Sequence, residues 1–103
     1  MSISVSSTVN GDIRTVSIDG EVDVSNADEL RKALDEALAS PAAQIESDLS
    51  HVPYIDSTGI GVLVGASRRA SEDARSLSVV HPQRNVARVL SLLGVGEELG
   101  VNQ

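Results

Sequence analysis

Cysteine and aromatic residues are almost absent from this chain of 103 residues. It has no Cys, Phe or Trp, and Tyr54 is its single Tyr. Without cysteine there is no disulfide framework and no thiolate metal site, and two residues, His51 and His81, are too few for a histidine site. Without aromatic rings there is no platform on which bases can stack, so single-stranded nucleic acid is a poor ligand. We therefore expect an aliphatic core, no metal and no cofactor.

Basic residues are also scarce. The 15 acidic and 8 basic residues give a net charge of −7, and an acidic surface repels nucleic acids and anionic lipids. No apolar run approaches the roughly 18 residues of a membrane span, and the amino terminus lacks the basic-then-apolar order of a signal peptide. We expect one domain over residues 1–103, in a soluble cytoplasmic protein that does not insert into membranes. Basic or electropositive protein surfaces remain possible partners.

The first 22 residues have the pattern of a β-hairpin. Apolar and polar residues alternate over residues 3–9 and 14–22, as in strands with one solvent-facing side. The Asn-Gly pair at positions 10 and 11 suits a type I′ turn. With this pair in the turn, Val5 is expected opposite Val16.

The remaining chain alternates between helical and strand periodicity. A helix with Ser25 as N-cap and Asp28 in a capping box is expected to end at Ser40-Pro41. The further elements that we predict are strands over 43–49, 77–80 and 98–101 and a second helix over 59–74. A third helix should follow Pro82, with Val86, Val89, Leu90 and Leu93 on its buried side, and should end at Gly94.

This order predicts an α/β fold with a mixed, mostly parallel sheet of four to five strands and an N-terminal antiparallel hairpin. Each strand-helix-strand step favours parallel neighbours joined by a right-handed crossover. Strands covered on both faces are apolar nearly throughout, whereas these strands alternate. The helices should therefore lie mainly on one face.

The segment YIDSTGIGVLVG (54–65) is the most distinctive part of the chain. An aspartic protease has Asp, then Thr or Ser, then Gly, whereas Asp-Ser-Thr-Gly here has one extra residue before the Gly. A serine hydrolase elbow has the pattern Gly-x-Ser-x-Gly, and residues 55–59 lack its first glycine. A dinucleotide site would require an acid near residues 79–81, which are Val-Val-His. None of these activities is favoured; Gly61 and Gly65 are instead expected to let a helix approach the sheet closely.

The two hydroxyl residues of this segment have two possible roles. Either Ser57 or Thr58 could cap the helix expected to begin at Gly59 by accepting from its first N–H groups. A phosphate at this position would also meet free N–H donors and the positive end of the helix dipole. It would add about two negative charges beside Asp56, which would repel a docked partner.

Three blocks of the sequence resemble a STAS domain, in particular a stand-alone bacterial anti-sigma factor antagonist (anti-anti-sigma factor). They are GEVDVSNADELRKAL (20–34), SDLSHVPYIDSTGIGVLVGASRRA (47–70) and NVARVLSLLGVGEEL (85–99), and they cover nearly the whole chain in order. The glycine that is common between the second helix and the next strand is missing from EDARSLSVV (72–80). This difference concerns a loop rather than the motif.

The resemblance implies partner switching without catalysis. In this family the unphosphorylated antagonist binds an anti-sigma factor, itself a serine kinase of the GHKL ATPase fold, and so releases a sigma factor. The kinase phosphorylates the Ser after the motif Asp, here Ser57, and a PPM-type phosphatase reverses the modification. The residues that the resemblance places at the partner-binding surface are Asp23, Asp56, Ser57, Thr58, Gly59 and Ile60.

Two other functions remain open. Within the same fold, the chain could be a non-switching scaffold or the STAS subunit of a lipid-transport ABC complex, where Ser57 would only cap a helix. A nucleotide-binding domain is more remote, because the sequence has no P-loop lysine and no recognisable pair of Mg²⁺ ligands.

Overall fold

The computed structural model describes residues 2–101. Within them the chain forms four strands and three helices. In chain order these are β1 (Ser4–Asn10), β2 (Ile13–Asp19), α1 (Ala27–Ala39), β3 (Gln44–His51), α2 (Ser57–Glu72), β4 (Ser76–Val80) and α3 (Arg84–Leu92).

The strands form one sheet in the order β1-β2-β3-β4. β1 runs antiparallel to β2, whereas β2, β3 and β4 are parallel neighbours. Helix α1 joins β2 to β3, and α2 joins β3 to β4. The α/β class, the mixed sheet and the N-terminal hairpin that the sequence predicts are thus confirmed.

One face of the sheet is buried and the other is polar and half-buried. Buried and partly exposed side chains alternate along β2, β3 and β4. The buried side chains join those of α1 and α2 in a single aliphatic core. The expectation of helices mainly on one face is therefore confirmed. The buried set includes Val16, Ile18, Ile45, Leu49, Leu77 and Val79; the opposite set includes Thr15, Ser17, Glu46, Asp48 and Ser78.

The hairpin forms with a different register from the one expected. Asn10 pairs with Ile13, and Val5 lies opposite Ile18 rather than Val16. The two turn residues are Gly11 and Asp12, and Gly11 has φ +62°. A glycine with positive φ at the first central position is typical of a type II′ turn. Because the shift is an even number of residues, each side chain keeps the face that its alternation predicts.

The carboxyl-terminal part of the described chain departs from the prediction in two places. Residues 98–100 form turns and Val101 has no regular structure, so the predicted strand over 98–101 is absent, although Val79 N donates to Leu99 O at 2.8 Å. Gly94 ends α3 as expected, with φ +76°. However, α3 buries Ala87 beside Val86 and Leu90, whereas Val89 and Leu93, which the sequence places on the buried side, are exposed.

Candidate functional site

The segments that follow β2 and β3 remain side by side beyond the regular sheet. Gly20 N donates to His51 O (3.0 Å), Val22 N to Tyr54 O (2.9 Å), and Asp56 N to Val22 O (3.0 Å). This ladder ends immediately before Asp23 on one segment and at Asp56 on the other. Two parts of the chain that are more than 30 residues apart therefore leave the sheet next to each other.

Asp56 is the N-cap of α2. Its Oδ1 accepts from Thr58 N at 3.0 Å and from Gly59 N at 3.1 Å. The expectation that Ser57 or Thr58 caps the helix is wrong, and α2 begins at Ser57 rather than Gly59. A carboxylate is well suited here, because it satisfies two free N–H groups and carries negative charge at the positive end of the dipole. Ser57 and Thr58 are exposed, and neither hydroxyl is needed to start the helix.

This cap predicts a difference in stability between two neighbouring substitutions. Asp56→Ala should lower the free energy of unfolding by about 1 kcal/mol, the typical loss for an N-cap, whereas Ser57→Ala should change it by less than about 0.5 kcal/mol. Urea denaturation of both variants measures the difference. Asp56→Asn, which keeps a cap acceptor, is the control and should retain most of the stability. Equal losses for Asp56→Ala and Ser57→Ala would contradict this assignment.

The glycines of α2 have different roles from those expected. A Cβ on Gly59 would lie 2.7 Å from Val22 Cγ1 and 2.8 Å from Ile55 Cγ1, whereas one on Gly61 or Gly65 would meet nothing within 4 Å. Gly59 is thus the residue that allows close packing at the start of the helix. The prediction for Gly61 and Gly65 is wrong, because both face a groove rather than the sheet.

The turn after β2 holds Asp23 in place. Its Oδ1 accepts from Ser25 N at 2.9 Å and from Ser25 Oγ at 2.5 Å, and these bonds lower the pKa of the carboxyl group. Ser25 therefore does not cap α1, which begins after Asn26. The Asn26 side chain accepts from Asp23 N (3.0 Å) and donates to Glu21 O (2.9 Å). Asp23 is thus presented as an anion on an ordered turn.

A groove of about 430 Å³ begins at the amino end of α2 and runs between α2 and α1. Two arginines line it: Arg69 is paired with Asp35 at 2.8 Å, and Arg31 is paired with Asp28. Sequence periodicity places Arg69 on the solvent side of its helix but does not reveal that Arg31 faces the same groove. The residues that line the groove are Arg31, Asp35, Ser57, Thr58, Gly61, Val62, Gly65, Ala66 and Arg69.

Two exposed apolar side chains flank the acidic turn and the start of α2. Val24, directly after Asp23, is 76% exposed, and Tyr54, two residues before Asp56, is 51% exposed. Tyr is among the residue types enriched at protein interfaces, and Tyr54 and Val24 together give this surface apolar area that a docked protein would cover. No motif in the sequence predicts that either side chain is exposed, although an apolar residue within the polar segment EVDVSN is a signal that could have indicated Val24.

The six residues that the resemblance places at the binding surface do not share one environment. Asp23 and Asp56 are partly exposed, and Ser57 and Thr58 are fully so. Ile60 is only 5% exposed and packs in the core, so its side chain is not on the surface; Gly59 is also buried. The exposed set is therefore two acids and two adjacent hydroxyls.

Residues 2–101 contain neither a grouped set of metal-ligating side chains nor a helix suited to span a membrane. No cluster of three or more His, Cys, Asp or Glu side chains in this part of the chain could hold a metal ion. None of the helices within the same range is both long enough and apolar enough to cross a membrane.

Comparison with known proteins gives both family and structural matches. The family model described as "Mlab, STAS domain" matches residues 7–101. The Anti-sigma-B factor antagonist of Staphylococcus epidermidis is 24% identical over 103 residues, which is 100% of this chain and 95% of that protein.

Solved structures agree with the fold. An anti-sigma factor antagonist from Mycobacterium paratuberculosis has a TM-score of 0.87 at 22% identity, with 96% of this chain and 84% of that chain covered. The anti-sigma factor antagonist SpoIIAA of Bacillus has been solved in its unphosphorylated form (TM-score 0.77, 19% identity, 98% of this chain and 88% of that chain). Its phosphorylated form gives a TM-score of 0.71 at 19% identity, with 98% and 91% covered.

Proposed function

Since the chain belongs to the STAS domain family, we propose that it is an anti-sigma factor antagonist controlled by phosphorylation of Ser57. In this proposal the unphosphorylated protein binds a cognate anti-sigma factor, a serine kinase of the GHKL ATPase fold, and so releases a sigma factor. The protein itself catalyses no reaction. The observation that carries the proposal is the exposed Ser57 at the first position of α2, beside a cap supplied by Asp56.

The cap makes Ser57 suitable for reversible modification. Because Asp56 provides the bonds to Thr58 N and Gly59 N, a phosphate on Ser57 displaces no hydrogen bond that starts the helix. It would lie at the positive end of the α2 dipole, where an anion is tolerated. We therefore expect the phosphorylated protein to stay folded while its surface gains about two negative charges.

The surroundings of Ser57 favour a protein as the partner. Asp23 and Asp56 supply negative charge, and Val24 and Tyr54 supply apolar area that a docked protein would cover. A kinase surface that complements the acids would be basic, with room for the two apolar side chains. Phosphorylation would place further negative charge within this contact and weaken it, and a PPM-type phosphatase would restore binding.

Phosphate transfer to Ser57 is the direct test. We would incubate the protein with ATP and each GHKL-type anti-sigma kinase encoded in the same genome, and measure intact mass by mass spectrometry. One kinase should add a single phosphate to the wild type and to Thr58→Ala, and none to Ser57→Ala. Transfer to Ser57→Ala but not to Thr58→Ala would move the site to Thr58. No transfer with any kinase would contradict the proposal.

A non-switching role is the second candidate. The matching family model is named for the domain, as "Mlab, STAS domain", so a match to it is equally expected for a scaffold or for the STAS subunit of a lipid-transport ABC complex. In this case the exposed site and the groove between α1 and α2 would be covered permanently. Copurification with a membrane ABC complex, unchanged by Ser57→Asp, would support this candidate against the switch.

A further inference from the structure

Strand β1 is an open edge of the sheet. All seven of its residues are exposed, and none is charged, Pro or Gly. Its pairing with β2 is regular, without a bulge. At the opposite edge, the β4 backbone is partly covered, since Val79 N donates to Leu99 O at 2.8 Å. Natural sheets usually protect an edge with Lys, Pro or a bulge, and β1 has none of these.

The hairpin determines which β1 residues present free backbone groups. A two-residue turn closes on a hydrogen-bonded pair, here Asn10 and Ile13. Hydrogen-bonded pairs alternate along an antiparallel ladder, so Ser6 and Thr8 also direct their N–H and C=O groups toward β2. The backbone groups of the intervening residues, Val5, Ser7 and Val9, point outward.

We propose that β1 pairs with β1 of a second copy of this chain, antiparallel and about a two-fold axis at Ser7. The three outward residues are centred on Ser7, and the strand, SVSSTVN, has a similar sequence in both directions from that residue. In this register Ser7 faces Ser7 of the second copy and Val5 faces Val9. Each facing pair exchanges two backbone hydrogen bonds.

The side chains support a second copy as the partner. Val5 and Val9 are 39% and 60% exposed and lie on the same side of the strand, so a two-fold pairing places valine against valine twice and covers all four. The side chains of β1 itself carry no charge. Arg14 on β2 donates to Ser7 Oγ of its own chain at 2.9 Å, so each copy brings one guanidinium group close to the two-fold axis, and salt screens the repulsion between the two. In this two-fold arrangement the β1 edge of each copy pairs with the β1 edge of the other, so neither β1 edge remains free for a third copy.

The size and charge of the two copies determine the strength of the dimer. A contact through one seven-residue strand is at the small end of protein interfaces, so the dimer should dissociate in the micromolar range. Each copy has a net charge of −7, and salt screens this repulsion, so dimerisation should strengthen as salt increases.

The antiparallel pairing places the two α2 amino ends at opposite ends of a joined sheet, with Ser57 exposed in both copies.

Disulfide trapping tests the register, because the chain has no cysteine of its own. Facing residues of a hydrogen-bonded pair have Cα atoms about 5.5 Å apart, within the range for a disulfide. Ser7→Cys should form a covalent dimer under mild oxidation, whereas Ser6→Cys, which faces Thr8 of the second copy, should form little. Equal trapping of the two variants would overturn the proposed register.

Sedimentation equilibrium tests the dimer without a cross-link. The wild type should show a reversible monomer-dimer equilibrium, and Val9→Lys should weaken it at least tenfold. Ser91→Lys, which adds the same charge at an exposed position of α3, should leave it unchanged, and circular dichroism checks that each variant is folded. A wild type that is monomeric at all concentrations up to 1 mM, or a dimer that Val9→Lys does not weaken, would overturn the proposal.

Discussion

Ser57→Asp is expected to bind the cognate kinase roughly a hundredfold more weakly than the wild type, a loss of about 2.7 kcal/mol. The substitution places a permanent charge beside Asp56 at an exposed point that the partner would cover, and an unpaired charge in a contact is costly. Ser57→Ala should bind at least as tightly as the wild type and remain bound in the presence of ATP, because it accepts no phosphate. Isothermal titration calorimetry measures both affinities.

The control for the charge itself is Ser71→Asp, at an exposed position near the other end of α2. It adds the same charge to the same helix and should bind like the wild type. If Ser57→Asp also binds like the wild type, Ser57 is not in the contact surface. If both Asp variants bind weakly, net charge alone explains the effect and the switch is not located at Ser57.

Gly59→Ala is expected to lower the free energy of unfolding by about 1–3 kcal/mol, the usual effect of overpacking. The added Cβ would lie 2.7 Å from Val22 Cγ1 and 2.8 Å from Ile55 Cγ1, and neither branched side chain can easily move away. For a domain of this size, each kcal/mol lowers Tm by roughly 4–8 °C. Thermal unfolding followed by circular dichroism measures the change.

Gly65→Ala is the matched control, because it makes the same change in the same helix. Its Cβ would meet nothing within 4 Å, and alanine favours helix over glycine by about 0.5–1 kcal/mol. This variant should therefore be slightly more stable than the wild type. The two substitutions are expected to have opposite signs, and a loss of stability in both would contradict the assignment of Gly59 as the close-packing residue.

Much of the fold follows from the sequence because its signals are local and repeated. Alternation over 14–22 and 43–49 predicts two strands and also predicts that only one face of the sheet is buried, which is confirmed. The polar-to-apolar change in residues 54–65 predicts the start of a helix. Gly94 ends α3 as predicted, since a positive φ is easily adopted by glycine.

Two of the incorrect predictions involve choices between neighbouring residues. Asp56, Ser57 and Thr58 are all capable N-caps, and the backbone bond from Asp56 N to Val22 O fixes where the chain leaves the sheet and therefore which of them caps α2. Similarly, Asn10-Gly11 and Gly11-Asp12 both suit a two-residue turn, and the register depends on which pair occupies it. Local propensity cannot decide between such alternatives.

The sequence by itself determined the α/β class, the one-sided core and the presence of hydroxyl residues at the start of a helix, because periodicity and composition are properties of the chain alone. Only the tertiary structure decided which residues share a surface. The parallel path of the segments after β2 and β3 brings Asp23 beside Asp56, and close packing on Val22 gives a role to Gly59 rather than to Gly61 or Gly65. These relationships join residues distant in sequence, which no local pattern encodes.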